Sequence, residues 1–573
     1  MPVHNADVAA LFEDVADLLA IQGENAFRIR AYRNAARTLN QLSRPVADLV
    51  AAGEDLSDLP DIGDDLAGKI ATIVETGRLP LYDELAQDIP PSVADLLRIP
   101  GLGPKRVRRL RDALGVDSRA ALKRAAETGK VQALDGFGET MEQNILDGLA
   151  QMSDDARWLL ARVEPIVASL HDHVSAHDAV ERVDAAGSYR RRKETVGDLD
   201  VLALADDGPA VTEHFAAYED VAETLSQGDT RASVRLRSGL QVDLRVVPPK
   251  SYGAALLYFT GSKAHNVALR DRAVAAGLKL NEYGAFRDDT EKRVAGTTED
   301  DIYDLFDLPY IVPELRENRG ELDAAADGTL PDLVTRADLR GNLHTHTTYS
   351  DGLHSLEEMA AAAQTRGLEY LAITDHSPAV AVVQGLDADA LRAQMDAIDR
   401  LNEDLDDLRV LKGIEVDILK DGSLDLPDAV LADLDLCLCA LHTALDLDEE
   451  TQTERVLRAL DNPHVHVLAH PTGRRINERP PIEIDLDRVM EAAADRGCVL
   501  ELNAQPERLD LSDVHCRRAK ELGLPLVIGA DAHSTDGLDV LRYGVDQARR
   551  GWLEADDVLN TKPWADIAPV FDR

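Results

Sequence analysis

The sequence predicts a multidomain α/β protein, with a helical amino-terminal region, a mixed α/β centre and a carboxy-terminal parallel sheet or barrel. Three observations carry this. The chain has 573 residues, too many for one hydrophobic core, so three or four domains are expected. Residues 1 to about 150 read as short helices divided by glycine turns, and from about 157 to 320 a helix gives way to strands of period-two alternation and then to mixed helix and strand. From Leu339 onward, short apolar strands alternate with helical segments, the pattern of βα units. The stretch Gly320–Asp338 (GELDAAADGTLPDLVTRAD) is polar, rich in small residues and broken by Gly and Pro, and reads as a linker.

Bulk properties exclude several classes. No apolar run approaches the ~20 residues that cross a bilayer. The opening MPVHNADVAALFEDVADLL is an acidic amphipathic helix and not a secretory signal. The cysteines (Cys437, Cys439, Cys498, Cys516) lack metal-knuckle spacing; Cys437 and Cys439, two apart on one strand, read as small buried hydrophobes, and a reducing cytoplasm is expected. The charge is unusual: 105 acidic residues against 62 basic ones, only 13 of them lysine, leave a net charge of −43. The acids are scattered, with no single tail, which favours a generally acidified surface over a nucleic-acid mimic. Such a surface suits concentrated salt, where screening removes most self-repulsion, and the composition resembles that of halophilic archaeal proteins. Nucleic-acid binding must then rest on local basic patches.

The helical region contains such a patch within a repeat. LPDIGDDLAGKI (59–70), IPGLGPKRVRRL (99–110) and LDGFGETMEQNI (134–145) read as copies of one apolar-x-G-apolar-G turn, each followed by a helix. Glycines such as Gly63, Gly101 and Gly103 permit a tight hairpin and let backbone N–H groups approach a phosphate. Lys105, Arg106, Arg108 and Arg109 follow the second copy. The arrangement resembles the helix-hairpin-helix motif, which implies contact with the DNA backbone without sequence readout.

In the centre, AAGSYRRRKETVGDLDVLALA (185–205) opens an apolar strand with Asp198 and Asp200, which share a face because they are two apart. The hairpin SVRLRSGLQVDLRVV (233–247) adds Asp243 from a neighbouring strand. Three carboxylates converging on a sheet suit two hard cations, a set that can activate a 3′-hydroxyl and stabilise a leaving pyrophosphate. Acids are abundant here, so a solvated strand end is the bland reading of DLD, but charges beside VLALA on a buried strand call for a partner.

GSYRRRKETVGDLDVL, VDLRVVP, LLYFTGSKAHNVALR (256–270) and LNEY (280–283), in that order, resemble the nucleotidyltransferase core of family X DNA polymerases such as polymerase β. The resemblance implies that Asp198, Asp200 and Asp243 are the catalytic metal-binding triad, and that Gly187, Ser188 and Arg191 hold the β- and γ-phosphates of the incoming nucleotide. It implies that Tyr258, Phe259 and Gly261 contact the sugar, that Asn266 and Arg270 face the minor groove of the nascent pair, and that Arg245 lies near the primer terminus. More loosely, RAYRNAA (30–36) and LPDIGDDLAGKI resemble the family's lyase domain, with Lys69 at the Schiff-base position. There Asp65 and Leu81 stand where basic phosphate ligands are expected, and Phe27 replaces a histidine, which weakens 5′-phosphate binding.

The carboxy-terminal region carries most of the 16 histidines, many just after apolar strands: NLHTHTTYSDG (342–352), YLAITDHS (370–377), LKGIEVDI (411–418), LCLCALHT (436–443), VHVLAHP (465–471), CVLELNA (498–504) and LPLVIGADAHS (524–534). Ligands at recurrent strand ends gather at one end of a parallel barrel, where such barrels place active sites. Imidazoles with carboxylates suit Zn²⁺, Mn²⁺ or Fe²⁺ better than Mg²⁺. The order resembles the polymerase and histidinol phosphatase (PHP) domain, a (β/α)7 barrel with up to three metals. By that resemblance His344, His346, Glu415 and Asp531 hold one metal; Glu415 bridges to a second held by His442 and His470; and Asp351, His376 and His533 hold a third. His354, His464, His466 and His515 are left as structural or exposed.

The two resemblances place a lyase-like helical domain at 1–85, a helix-hairpin-helix region at 86–150, a nucleotidyltransferase palm at 151–248, a nucleotide-selecting subdomain at 249–320, a linker at 321–338 and the PHP domain at 339–573. They imply a polymerase that fills short gaps during DNA repair, with a 3′–5′ exonuclease or 3′-end-processing phosphoesterase in the PHP domain and 5′-deoxyribose-phosphate lyase chemistry at Lys69. They imply Mg²⁺ or Mn²⁺ at the polymerase site, up to three Mn²⁺, Zn²⁺ or Fe²⁺ ions in the PHP domain, gapped or nicked DNA and deoxynucleoside triphosphates as partners, and a monomer. Two rivals are a PHP-type phosphatase whose amino-terminal half only binds DNA, and a non-enzymatic platform that recruits repair partners. The intact aspartates and YFTGS segment oppose the first; complete ligand sets in both regions oppose the second.

Overall fold

The computed structural model describes residues 5–42, 46–99, 101–134, 136–151, 157–380, 383 and 385–571. Residues 1–4 of the expected first helix lie outside that set. The chain divides into two compact units, Met1–Arg157 with Asn477–Arg479, and Trp158–Ile476 with Pro480–Arg573.

The first unit is helical through its described residues. Asn5–Gln22 and Ala26–Gln41 pack through Phe12, Val15 and Leu19 against Tyr32, Ala36 and Leu39, residues at helical spacing, and Phe12 meets Tyr32 edge-on at 5.3 Å. Asp64–Thr76 and Pro104–Leu114 begin on Gly63 and Gly103 with no side-chain cap, so their first backbone N–H groups carry no capping bond. Gly101 and Gly136 both adopt φ 82°, which glycine reaches without strain. The first copy departs from the expected turn. Asp61 stands where the other two have glycine, at φ 58°, a conformation that Asp tolerates better than most residues.

In the second unit a five-stranded sheet runs in the order Val180–Ala185, Asp198–Ala205, Gln241–Val247, Arg231–Leu236, Val221–Gln227. Only Asp198–Ala205 and Gln241–Val247 are parallel neighbours. Leu199, Val201 and Ala203 bury one face with Val242, Leu244 and Val246, packed against Leu160 and Val163 of one helix and Val211 and Phe215 of another. The alternation turns Asp198, Asp200 and Asp243 to the other face. The helices Tyr252–Thr260 and Lys263–Ala275 follow, then an antiparallel three-stranded sheet.

The expected linker is packed structure. Glu321–Asp327 is a helix with Glu321, Leu322 and Ala325 buried, and Leu322 and Leu333 join Tyr303, Ile311 and Trp552 in one apolar cluster. Leu322, Leu333 and Val334 are its large buried apolar side chains, too few for the sequence pattern to reveal the packing. The palm and the carboxy-terminal region accordingly belong to one unit.

The last seven strands, Gly341–Asn342, Tyr370–Ile373, Arg409–Asp417, Leu436–Ala440, Val467–Leu468, Val499–Asn503 and Leu526–Gly529, are parallel and neighbour one another in chain order. A bridge between Thr345 and Ala532 nearly closes the ring. Asn560 ties first strand to last, donating to the carbonyls of Gly341 and Ile528 at 2.9 Å each and accepting from Ile528 N–H at 2.9 Å. Tyr370, Ala372, Leu436, Leu438, Val467 and Val527 fill the lumen with Phe571, while the alternate residues Leu371, Ile373, Cys437, Cys439 and Leu500 face the helices. All four cysteines are free and buried, as small hydrophobes would be.

Candidate active sites

Asp200 and Asp243 are direct partners across the parallel strand pair, with Asp198 two residues before Asp200 on the same face. Asp243 accepts from Gln241 Nε2 at 3.0 Å and from Ser233 Oγ, which fix its carboxylate; sequence reading missed both residues. Burial, followed by the charges of Asp198 and Asp243, raises Asp200 to about 7. Gly187 (φ 62°) lies against it: a Cβ there would come within 2.6 Å of Asp200 Oδ2, so the turn can approach only as glycine.

The arginine run diverges. Arg190 forms a paired bridge to Glu299 at 2.8 and 2.6 Å and also donates to Thr260 Oγ1 at 2.7 Å. Arg191 donates to Glu317 at 3.0 Å and to the Thr260 carbonyl at 2.5 Å, and so holds the start of the Thr260–Gly261 turn. Arg192 reaches Asp546 on the barrel helix Leu541–Arg550. Behind the turn, wholly buried Arg316 pairs with Glu299 at 2.6 Å, and His265 pairs with Glu321 at 2.7 Å. Tyr258 is exposed and meets Phe259 edge-on at 5.2 Å; Asn266 Nδ2 donates to the Tyr258 carbonyl at 2.7 Å; Arg270 Nε reaches the Asn266 carbonyl at 3.4 Å; and Arg245 lies 4.7 Å over the Phe259 ring. Ser188 sits in the Gly187–Arg190 turn, its carbonyl accepting from Lys193 N–H at 3.1 Å.

At the carboxyl end of the barrel, Glu415 is wholly buried and its two oxygens face different histidines. Oε1 lies 2.8 Å from His470 Nε2 and 3.4 Å from His442 Nε2; Oε2 lies 2.9 Å from His376 Nδ1, 3.5 Å from His344 Nε2 and 3.6 Å from His346 Nε2. Asp531 Oδ1 is 3.2 Å from His346 Nε2 and 3.6 Å from both His344 Nε2 and His533 Nδ1. Asp351 is 3.2 Å from His533 and 3.7 Å from both His346 and His376. Three groups bring ligand atoms within 4.8 Å of one another: His346, Asp351, His376 and His533; His344, His346 and Asp531; and His376, Glu415 and His442. His346 and His376 each enter two groups, a sharing the sequence left unassigned. The palm aspartates form no such group among the described residues.

The ligand atoms fit divalent cations. His344 Nε2, both nitrogens of His346, His376 Nδ1 and Glu415 Oε2 are buried without a hydrogen-bond partner, an arrangement costly unless cations take a lone pair from each imidazole and from the carboxylate. Burial, then the neighbouring His533 and His376, lower His346 to about 3; burial opposes charge on His533, yet Asp351 raises it to about 9. Glu415 is held well below the carboxylate range by His442, His376 and His344, against its burial. Glu501 and Asp417 were missed as partners. Glu501 accepts from His344 Nδ1 at 2.6 Å and Asp417 lies 3.2 Å from His442 Nδ1, each leaving Nε2 for the cluster. A carboxylate amid apolar CVLELN and GIEVD was the available signal.

In the helical unit, Lys69 Nζ is paired with Asp65 and lies 5.7 Å from the Tyr32 ring centre, while Phe27 is exposed. Lys105 is exposed on the second hairpin helix. Arg106 donates to the Gly101 carbonyl at 2.7 Å, and Arg109 lies beside Gly136. Arg108 is taken by the Ile21 carbonyl and braces the first helix.

Family models match at residues 3–79 (Helix-hairpin-helix domain), 93–151 (SAM-like Helix-hairpin-helix tandem), 255–317 (DNA polymerase beta thumb) and 342–504 (PHP domain). A Bacillus subtilis protein named "DNA polymerase/3'-5' exonuclease PolX" is 36% identical over 574 residues, covering 100% of each chain. The chain belongs to the PolX family of DNA polymerases. Part of the chain is also similar to other proteins: one of Thermoanaerobacter sp. named "Probable phosphatase" is 29% identical over 38% of this chain and 89% of its own length, and one of Acetivibrio thermocellus with that name is 33% identical over 33% and 78%. No described helix is long and apolar enough to cross a membrane.

Proposed function

We propose that this PolX-family chain fills short gaps in DNA and processes 3′ ends by phosphoester hydrolysis in its barrel. The observation that carries the reading is the match along the whole length to a protein named for both activities. The presence of both carboxylate-rich sites in one compact unit supports it. In the palm, Asp198, Asp200 and Asp243 would hold Mg²⁺ or Mn²⁺. Gly187, Ser188 and Arg191 would receive the triphosphate, Tyr258, Phe259 and Gly261 the sugar, and Asn266, Arg270 and Arg245 the duplex end. The cations would supply the positive charge that makes the 3′-hydroxyl acidic and offsets charge on the departing pyrophosphate. In the barrel the nine ligands would hold up to three ions, with Glu415 shared. Gly63, Gly101, Gly103, Lys105, Arg106 and Arg109 would grip the backbone of gapped or nicked DNA. The Asp65 contact opposes a free amine at Lys69 but leaves lyase chemistry testable with an abasic 5′ end. The chain would act as a cytoplasmic monomer divided as given above, except that residues 321–338 are packed structure and not a linker.

The deciding experiment incubates the protein with gapped DNA and Mn²⁺ or Mg²⁺, with and without nucleotides, and resolves extension from shortening. Extension to fill the gap is expected with nucleotides, and 3′ shortening without them; absence of extension with an intact fold rejects the polymerase. The charge of −43 supports adaptation to concentrated salt of the halophilic archaeal kind. Its melting temperature should then rise in molar KCl, and a flat or falling trend rejects that part.

A further inference from the structure

Beside the barrel's ligand cluster stands an arginine that the metal-site reading leaves without a role. Arg508 Nε lies 3.8 Å from Asp531 Oδ2, and the side chain is 19% exposed. Its guanidinium makes no hydrogen bond among the described residues. Two more deeply buried arginines are bound by protein acceptors instead: Arg455 donates to the carbonyls of Leu419, Thr443 and Ala444, and Arg316 donates to Glu299 and the Ile311 carbonyl and keeps only Nη2 without a partner. A mostly buried cation with free donors at the rim of a metal cluster is matched by an anion that arrives with the substrate.

The loop bearing Arg508 is fixed from two sides. Gln505 Nε2 donates to the carbonyls of Ala530 and Asp531 at 2.8 and 2.7 Å, which ties the loop to the metal-ligand turn. Next to Arg508, Leu509 adopts φ 40°, strained for a leucine, and its side chain is buried in the palm's apolar cluster. Arg474 donates from Nε to the Arg508 carbonyl at 2.8 Å and from Nη2 to the Leu509 carbonyl, and is itself paired with palm residue Glu194 at 2.7 and 3.3 Å.

We infer that Arg508 binds a non-bridging oxygen of the phosphoester brought to the barrel's metal ligands, and that the palm positions it through Glu194, Arg474 and Leu509. This rests on the phosphoesterase reading above. Arg508 touches substrate; Glu194 and Arg474 are positioning residues.

The test uses the full chain loaded with Mn²⁺, bis(4-nitrophenyl) phosphate as substrate and inorganic phosphate as a calorimetric ligand, with metal content by elemental analysis. Arg508→Gln should keep its metal, weaken phosphate binding about 10- to 100-fold and raise KM in step, and Arg508→Lys should regain part of the loss. Glu194→Gln should weaken phosphate binding less, in the same direction. Unchanged phosphate affinity in metal-replete Arg508→Gln protein overturns the inference. So does loss of metal in that variant, which would make Arg508 a counter-charge for Asp531. A wild-type chain that binds phosphate through Arg508 yet cleaves no phosphodiester would instead reject the phosphoesterase reading and leave the anion site standing.

Discussion

Arg192 donates to Asp546 Oδ2 through Nε at 2.8 Å and Nη2 at 2.6 Å, which fastens the turn after Gly187 to the barrel helix Leu541–Arg550. Glu164 accepts from the same guanidinium at 2.6 Å, and Arg550 donates to the Arg191 carbonyl at 2.7 Å. The turn that would receive the triphosphate is therefore built partly on the barrel.

Arg192→Met should leave Asp546 without its cation beside Glu164, which keeps Arg542 at 3.0 Å. A loss of about 3 kcal/mol is expected in denaturant unfolding, because a largely buried charge left unpaired costs more than the pair contributed. Asp546→Leu added to Arg192→Met should restore part of it. Equal stability of wild type and single variant would show that the pair is solvated.

Asp243→Asn should abolish primer extension and leave 3′ shortening at its wild-type rate, since the barrel ligands lie on separate strands. Gel analysis of one labelled gapped substrate reads both. Parallel loss of both activities in a folded variant would defeat the assignment of two sites.

Glu299 gives a pH signature. Burial alone would raise its carboxyl, but the hydrogen bonds from Arg190 and the charge of Arg316 outweigh it and lower it from 4.5 to about 2. A carboxylate whose folded pKa is depressed stabilises the fold fully above its unfolded pKa and progressively less as pH falls toward the folded one. Wild type should therefore lose about 3 kcal/mol from this group between roughly pH 5 and pH 2. Glu299→Gln, less stable than wild type at pH 7, should converge on it over that window. Parallel stability curves would remove the buried ion pair as the cause.

Glu415→Ala should bind at least one fewer metal per chain and lose 3′ shortening while retaining extension, because its two oxygens face different histidine sets. His533→Ala should keep the Glu415-centred ions. Elemental analysis beside the activity assays decides it; wild-type metal content in folded Glu415→Ala protein would contradict a shared ligand.

The sequence by itself determined the kinds of element and most candidate ligands, because these follow from local periodicity. Asp198 and Asp200 two apart on a strand must share a face, and histidines recurring after apolar strands must gather at one end of a parallel barrel. Local pattern carries no information about partners far away along the chain. The packing of 321–338 against Trp552, the divergence of Arg190, Arg191 and Arg192 to Glu299, Glu317 and Asp546, and the pairing of His344 with Glu501 all join segments distant in sequence. Charge complementarity between such segments exists only once the chain has folded. The tertiary structure alone therefore decided that palm and barrel form one unit, and that Arg508 stands 3.8 Å from the candidate ligand Asp531.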